Sequence, residues 1–202
     1  MGLVIAAVLV TLTMQFAPAE WFDRMDTIKT ADEDRSFMGR VTAWKRASAI
    51  ALENPVLGGG FHAGQGVSIY EQFRYKQGLL GFVDTPDTGY AAATHSIYFE
   101  VMGDLGFVGF LLFMAALASV FYNRRRILRR VSADPARLEW AGDLANFIAA
   151  GMVAYMVGGA ALSAAYFELP YYLIMLMQVL WHVVDQPQED LGSEKVQGSA
   201  HA

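Results

Sequence analysis

Cysteine is absent from all 202 residues. That gap excludes a disulfide framework, a thiolate metal site and a thiol nucleophile. It leaves the compartment open, because an exported domain can also lack disulfides. Histidine is scarce as well: the four, at positions 62, 95, 182 and 201, share no ligand spacing, so no metal site is expected. Basic residues number 15 against 20 acidic ones, a formal net charge of -5, and no basic footprint for nucleic acid results. No internal repeat is visible. What the chain has in plenty is apolar surface: 54% of its residues are hydrophobic. They gather in blocks long enough to cross a bilayer, for which a helix needs roughly 20 apolar residues.

The first block, Gly2 to Ala17, carries no charge. Ala17-Pro18-Ala19 has the small-x-small form of a cleavage site, but no Lys or Arg precedes the run as a signal peptide requires. Residues 1–17 are therefore read as a transmembrane helix. The clearest block is Leu105–Tyr122, 18 residues without a charge, inside an expected span of 95–123. It ends in "NRRRILRR", with five arginines between 124 and 130. Short loops rich in Lys and Arg stay cytoplasmic, so residues 124–141 are expected to be a cytoplasmic basic loop. Residues 142–184 suit two further helices turned at "SAAYFELP", and the acidic tail, 185–202, is expected to be disordered and cytoplasmic. Alternation then puts residues 18–94 outside. The expected fold is an all-α polytopic membrane protein. It has about four transmembrane helices, near 2–17, 97–122, 142–162 and 167–184, and one large, mostly helical extracytoplasmic loop.

Within that loop "GRVTAWKRASAIALENP" predicts an amphipathic helix over 38–53, with Val41, Trp44, Ala47 or Ser48, and Ala51 on one face and Asn54-Pro55 as its stop. Trp44 is expected toward lipid or the other helices, as tryptophan suits the membrane border. "VLGGGFHAGQG" follows as a turn region and "VSIYEQFRYKQ" as a short helix. Gly58-x-Gly60-x-x-Ala63 fits a relaxed dinucleotide fingerprint, but no strand or βαβ frame precedes it, so that reading fails. Asp32-Glu33-Asp34 contains the D-x-D pattern of metal-dependent sugar transferases; it reads more simply as a solvated loop or a cap. Gly103, Gly106 and Gly109 are spaced for close helix packing. His95 opens the central span, with Glu100 and Asp104 just inside it. The residues alone leave His95 as either a helix cap or a base.

Taken together, "GRVTAWKRASAIALENPVLGGGF" and "HSIYFEVMGDLGFVGFLLF" resemble the C-terminal half of the O-antigen ligase and polymerase superfamily. The shared pattern is an Arg-x-x-x-Trp helix, a Pro-x-x-Gly-x-Gly turn, and a His that opens a membrane helix with a Gly-x-x-Gly segment. "WFDRMDTIKTADEDRSFMGR" resembles the O-glycosylation ligases associated with exosortase systems. The likeness covers about residues 15–122.

The resemblance implies a partial GT-C-like fold in the bacterial inner membrane with a periplasmic catalytic loop. The implied reaction moves a glycan from undecaprenyl diphosphate to a hydroxyl on a lipid or protein acceptor, without a metal or other cofactor. By the same resemblance His95 is the catalytic residue on the acceptor side. Arg40 meets the donor diphosphate, Trp44, Gly58 and Gly60 join the substrate-binding set, and Glu100 orients the imidazole. Family members carry further N-terminal helices with arginines of their own, so a missing N-terminal half or a companion membrane chain is an expected partner. The alternatives are an O-antigen polymerase, a transporter-like protein and an inactive truncated paralogue.

Overall fold

The computed structural model describes residues 35–186, which form five α-helices and no strand. These are α1 (Arg35–Glu53), α2 (Val67–Phe73), α3 (Ile97–Ala133), α4 (Pro135–Gly159) and α5 (Leu169–Asp185), with single 3-10 turns at Ala63–Gln65 and Gly78–Leu80. The first expected span, the acidic triplet at 32–34 and the tail beyond residue 186 lie outside the described residues.

Helices α3, α4 and α5 pack on one another through Leu117, Val120 and Ile127, Ala141, Ala145 and Met152, and Met177, Leu180 and Val184. The alanines of α4 let the backbones approach closely, which is how helices associate where lipid supplies no hydrophobic drive. The outer faces are apolar too: Leu111, Leu112, Phe147, Val153, Met175 and Val179 are all exposed. In the most apolar stretch of α3 only 17% of residues are buried. A soluble core helix would show the reverse. Two helices, α3 and α4, are long and apolar enough to cross a membrane, and the shorter α5 is apolar throughout. The chain is an all-α membrane protein.

The basic segment departs from expectation. It forms no loop: α3 continues through all five arginines to Ala133, and α4 starts at Pro135. Arginine is a good helix former, and nothing between Asn123 and Ala133 breaks the pattern. Pro135 then disfavours a helical Asp134 and pre-forms the first turn of α4. Along this helical end Arg124 Nε donates to Asn146 Oδ1 at 2.8 Å, Arg126 lies over the Trp181 ring, and Arg130 pairs with Asp185.

Helix α1 spans the predicted 38–53 and starts slightly earlier. It is not amphipathic in practice. From Val41 to Ala51 every residue except the half-buried Trp44 is buried. One side packs on α3, where Ala47 meets Gly103. The other is covered by the 78–94 segment, which takes hydrogen bonds from Thr42 Oγ1 to the Pro86 carbonyl and from Lys45 Nζ to the Val83 carbonyl.

Candidate functional site at the head of α3

Helix α3 is broken at Gly106, where φ is +69° and ψ is -171°, a combination that is essentially glycine-only. A break there would strand backbone groups at the membrane border, where unpaired ones are costly. The glycine-rich turn supplies the missing partners. Gly59 N–H donates to the Gly103 carbonyl and Gly60 N–H to the Asp104 carbonyl, each at 2.9 Å, and Phe107 N–H donates to the Pro55 carbonyl at 2.8 Å. The fit has no slack: a Cβ on Gly58 would lie 2.5 Å from the Asp104 carbonyl, and one on Gly106 would lie 2.6 Å from the Pro55 oxygen. The glycines of the turn and of the helix thus lock each other. Gly106 is more than a packing notch, contrary to the sequence reading.

Asp104, read from sequence as a border residue, is the hub of this region. It is buried and accepts three hydrogen bonds: from His62 N–H at 2.8 Å, Ala63 N–H at 3.0 Å and the Tyr166 hydroxyl at 2.9 Å. Burial, with Asp104 beside it, raises the Tyr166 hydroxyl above the ordinary phenol range, so it stays a donor. Glu100, also buried, accepts from Ala165 N–H at 3.1 Å. No hydrogen bond joins Glu100 to the His95 ring. The Glu100–Ala165 hydrogen bond anchors the α4–α5 turn. The same turn meets His95 directly, since the His95 N–H donates to Ser163 Oγ at 2.9 Å.

His95 is exposed and left-handed, with φ +47°, an uncommon backbone state for a non-glycine residue. Its ring has no hydrogen-bond partner among the described residues. Trp44 reaches this point from α1: its Nε1 donates to the Thr94 carbonyl at 2.6 Å, and its ring stacks on Phe99 at 5.1 Å. Arg40 lies one helical turn before Trp44 on the same face. It is partly exposed and makes no ion pair among the described residues. Trp44 thus bridges the α1 face that carries Arg40 and the backbone just before His95, and these three residues make up the candidate strip. Gly58 and Gly60 belong to the turn that buttresses α3, their conformations set by that contact.

Two features escaped sequence reasoning. His62, dismissed for lack of ligand spacing, sits beside Tyr166 with ring centroids 5.8 Å apart. Lys45 and Arg46, to which the sequence assigned no role, are both buried. Only their neighbours in space reveal this, and those neighbours come from residues 70–88.

A helical membrane protein with a polar site, buttressed by a loop against the broken head of a spanning helix, is the class that this fold defines. The family model described as O-antigen ligase matches residues 1–114. The chain belongs to that family and is a membrane enzyme of the O-antigen ligase/polymerase type. The matched region ends within α3, so it includes Arg40, Trp44, His95 and Asp104 but not the α4–α5 turn that carries Tyr166. No curated protein and no solved structure matches the chain.

Proposed function

We propose that the chain transfers a glycan from an undecaprenyl-diphosphate carrier to a lipid or protein hydroxyl at the outer face of the bacterial inner membrane. The observation that carries this reading is the strip from Arg40 across Trp44 to His95, in which the cation has no ion pair and the imidazole no hydrogen bond among the described residues. A diphosphate is already an activated leaving group, so the work lies in offsetting its growing negative charge. A guanidinium stays charged at any relevant pH and grips phosphate oxygens with a planar fork. The acceptor hydroxyl attacks the anomeric carbon from the face opposite the diphosphate. Its proton passes to the imidazole, the side chain most often used as a general base. The new glycosidic bond forms as the anomeric carbon–oxygen bond to the carrier breaks. Undecaprenyl diphosphate leaves, and the anomer inverts.

The experiment mixes purified lipid-diphosphate glycan with acceptor and the full-length protein, together with any companion chain that co-purifies. His95→Ala should lower transfer by roughly 10²–10⁴-fold, the range for a positioned base. Arg40→Lys should also lower it, because a point charge does not reproduce the fork. A chelator should leave the rate unchanged. Full activity of His95→Ala would return His95 to a helix cap, and chelator-sensitive transfer would shift attention to Asp32 and Asp34. Transfer onto a glycan that is itself carrier-linked would make the enzyme a polymerase.

A further inference from the structure

On the far side of α1 lies a polar cavity of 140 Å³, between the helix and the 74–87 segment. Arg46 is six residues after Arg40, which at about 100° per residue turns it roughly 240° around the helix and away from the proposed transfer strip. The cavity is lined by Thr42, Lys45, Arg46, Arg74, Lys76 and Asp87.

Its charge does not balance. Arg74 is committed to Asp87 at 2.5 Å, and Lys76 to Glu53 at 2.6 Å. Lys45 donates to a neutral carbonyl, Val83 O, at 2.7 Å. Arg46 is 3% exposed and has only a long 3.5 Å contact from Nη2 to Thr88 Oγ1. Its Nε and Nη1 have no hydrogen-bond partner among the described residues. The guanidinium lies over the Tyr70 ring, 4.5 Å from its centroid, which offsets part of its charge but satisfies no N–H. Buried polar groups are nearly always paired, and an orphaned one calls for an unseen partner. Two cations without an ion pair among the described residues therefore line one cavity, and one of them has donors left over.

We infer that this cavity is an anion site that takes a doubly charged phosphate group, with Arg46 and Lys45 as its principal ligands. Two surplus positive charges match a dianion, and phosphate brings the acceptor oxygens that the Arg46 donors lack. The volume is close to that of a cavity that takes one benzene-sized molecule. A phosphate fits with room for its ester linkage, whereas an oligosaccharide does not. The phosphate could be free or carried on a lipid headgroup, and the test separates the two. The site lies off the Arg40–His95 strip, so its failure would leave the transfer reading untouched.

The test measures thermal unfolding of the full chain in nanodiscs of phosphatidylcholine, titrated with inorganic phosphate against chloride at matched ionic strength. A saturable rise is expected, roughly 5–10 °C when phosphate reaches about 100 times its Kd. Arg46→Met and Lys45→Met should each weaken that affinity about 10- to 100-fold, as loss of a charged hydrogen bond does. If free phosphate has no effect but nanodiscs with phosphatidic acid raise the transition, and Arg46→Met abolishes the rise, the phosphate is a headgroup. No rise with either source, or a rise that both variants retain, overturns the site and leaves Arg46 to bound water. Should Arg46→Met fail to fold, Lys45→Met decides alone.

Discussion

Replacing Asp104 with asparagine isolates what holds the site together. In the native chain Oδ2 accepts from His62 N–H and the Tyr166 hydroxyl, while Oδ1 accepts from Ala63 N–H. Asparagine keeps only one acceptor oxygen. Held at the Oδ2 position, it retains two bonds but turns its NH₂ toward the Ala63 N–H, donor against donor. Flipped, it loses the His62 bond, and the Tyr166 hydroxyl must turn from donor to acceptor. Either way at least one charge-assisted bond of about 1.5–3 kcal/mol is lost and a buried donor is stranded. The expected cost is therefore roughly 2–4 kcal/mol, which for a chain of this size corresponds to about 5–12 °C in Tm. Tryptophan fluorescence in detergent reads it, with Trp44 stacked on Phe99 as the local reporter. Tyr166→Phe should cost less, because it removes one bond and strands nothing. The double variant should show a coupling of at least about 0.5 kcal/mol, as residues in one network do. A Tm shift below about 2 °C for Asp104→Asn, or strictly additive effects, would refute the hub. Transfer should fall along with stability, because the loop that Asp104 holds packs through Gly64 against Ala92 and Thr94, next to His95.

Gly106→Ala should destabilise by at least about 1–3 kcal/mol, since its φ is forbidden to alanine and the new methyl meets the Pro55 carbonyl. Gly158→Ala, where nothing lies within 4 Å, should instead be neutral or stabilise by up to about 1 kcal/mol; equal effects at both positions would remove the helix-break argument. For topology, the absence of cysteine makes single thiols clean probes. Ser68→Cys should react with an impermeant maleimide in intact cells and Ser132→Cys only after permeabilisation, and the reverse pattern would invert the orientation. At the basic end, Arg130→Ala should cost less than about 1 kcal/mol by chemical denaturation, because its ion pair with Asp185 is half exposed; a larger loss would mean that the arginines hold the bundle rather than mark its orientation.

The sequence by itself determined the solvent and the class. Long uncharged runs need lipid, an arginine cluster needs water at one helix end, and Asn54-Pro55 stops a helix wherever it occurs. These are local properties, and each is visible in a short window. The resemblance carried by Arg40, Trp44, the glycine turn and His95 was equally legible, since it resides in residue order. What the tertiary structure decided is everything that depends on distant partners. Asp104 became a hub because residues 42 positions before it and 62 after it donate to it, a relation that no window contains. Gly106 became a break because Pro55 and Gly60 offer replacement hydrogen bonds there. Arg46 became an orphaned buried cation because the 74–87 segment folds over it. Helical periodicity could assign it a direction around α1, but not the neighbour waiting on that side.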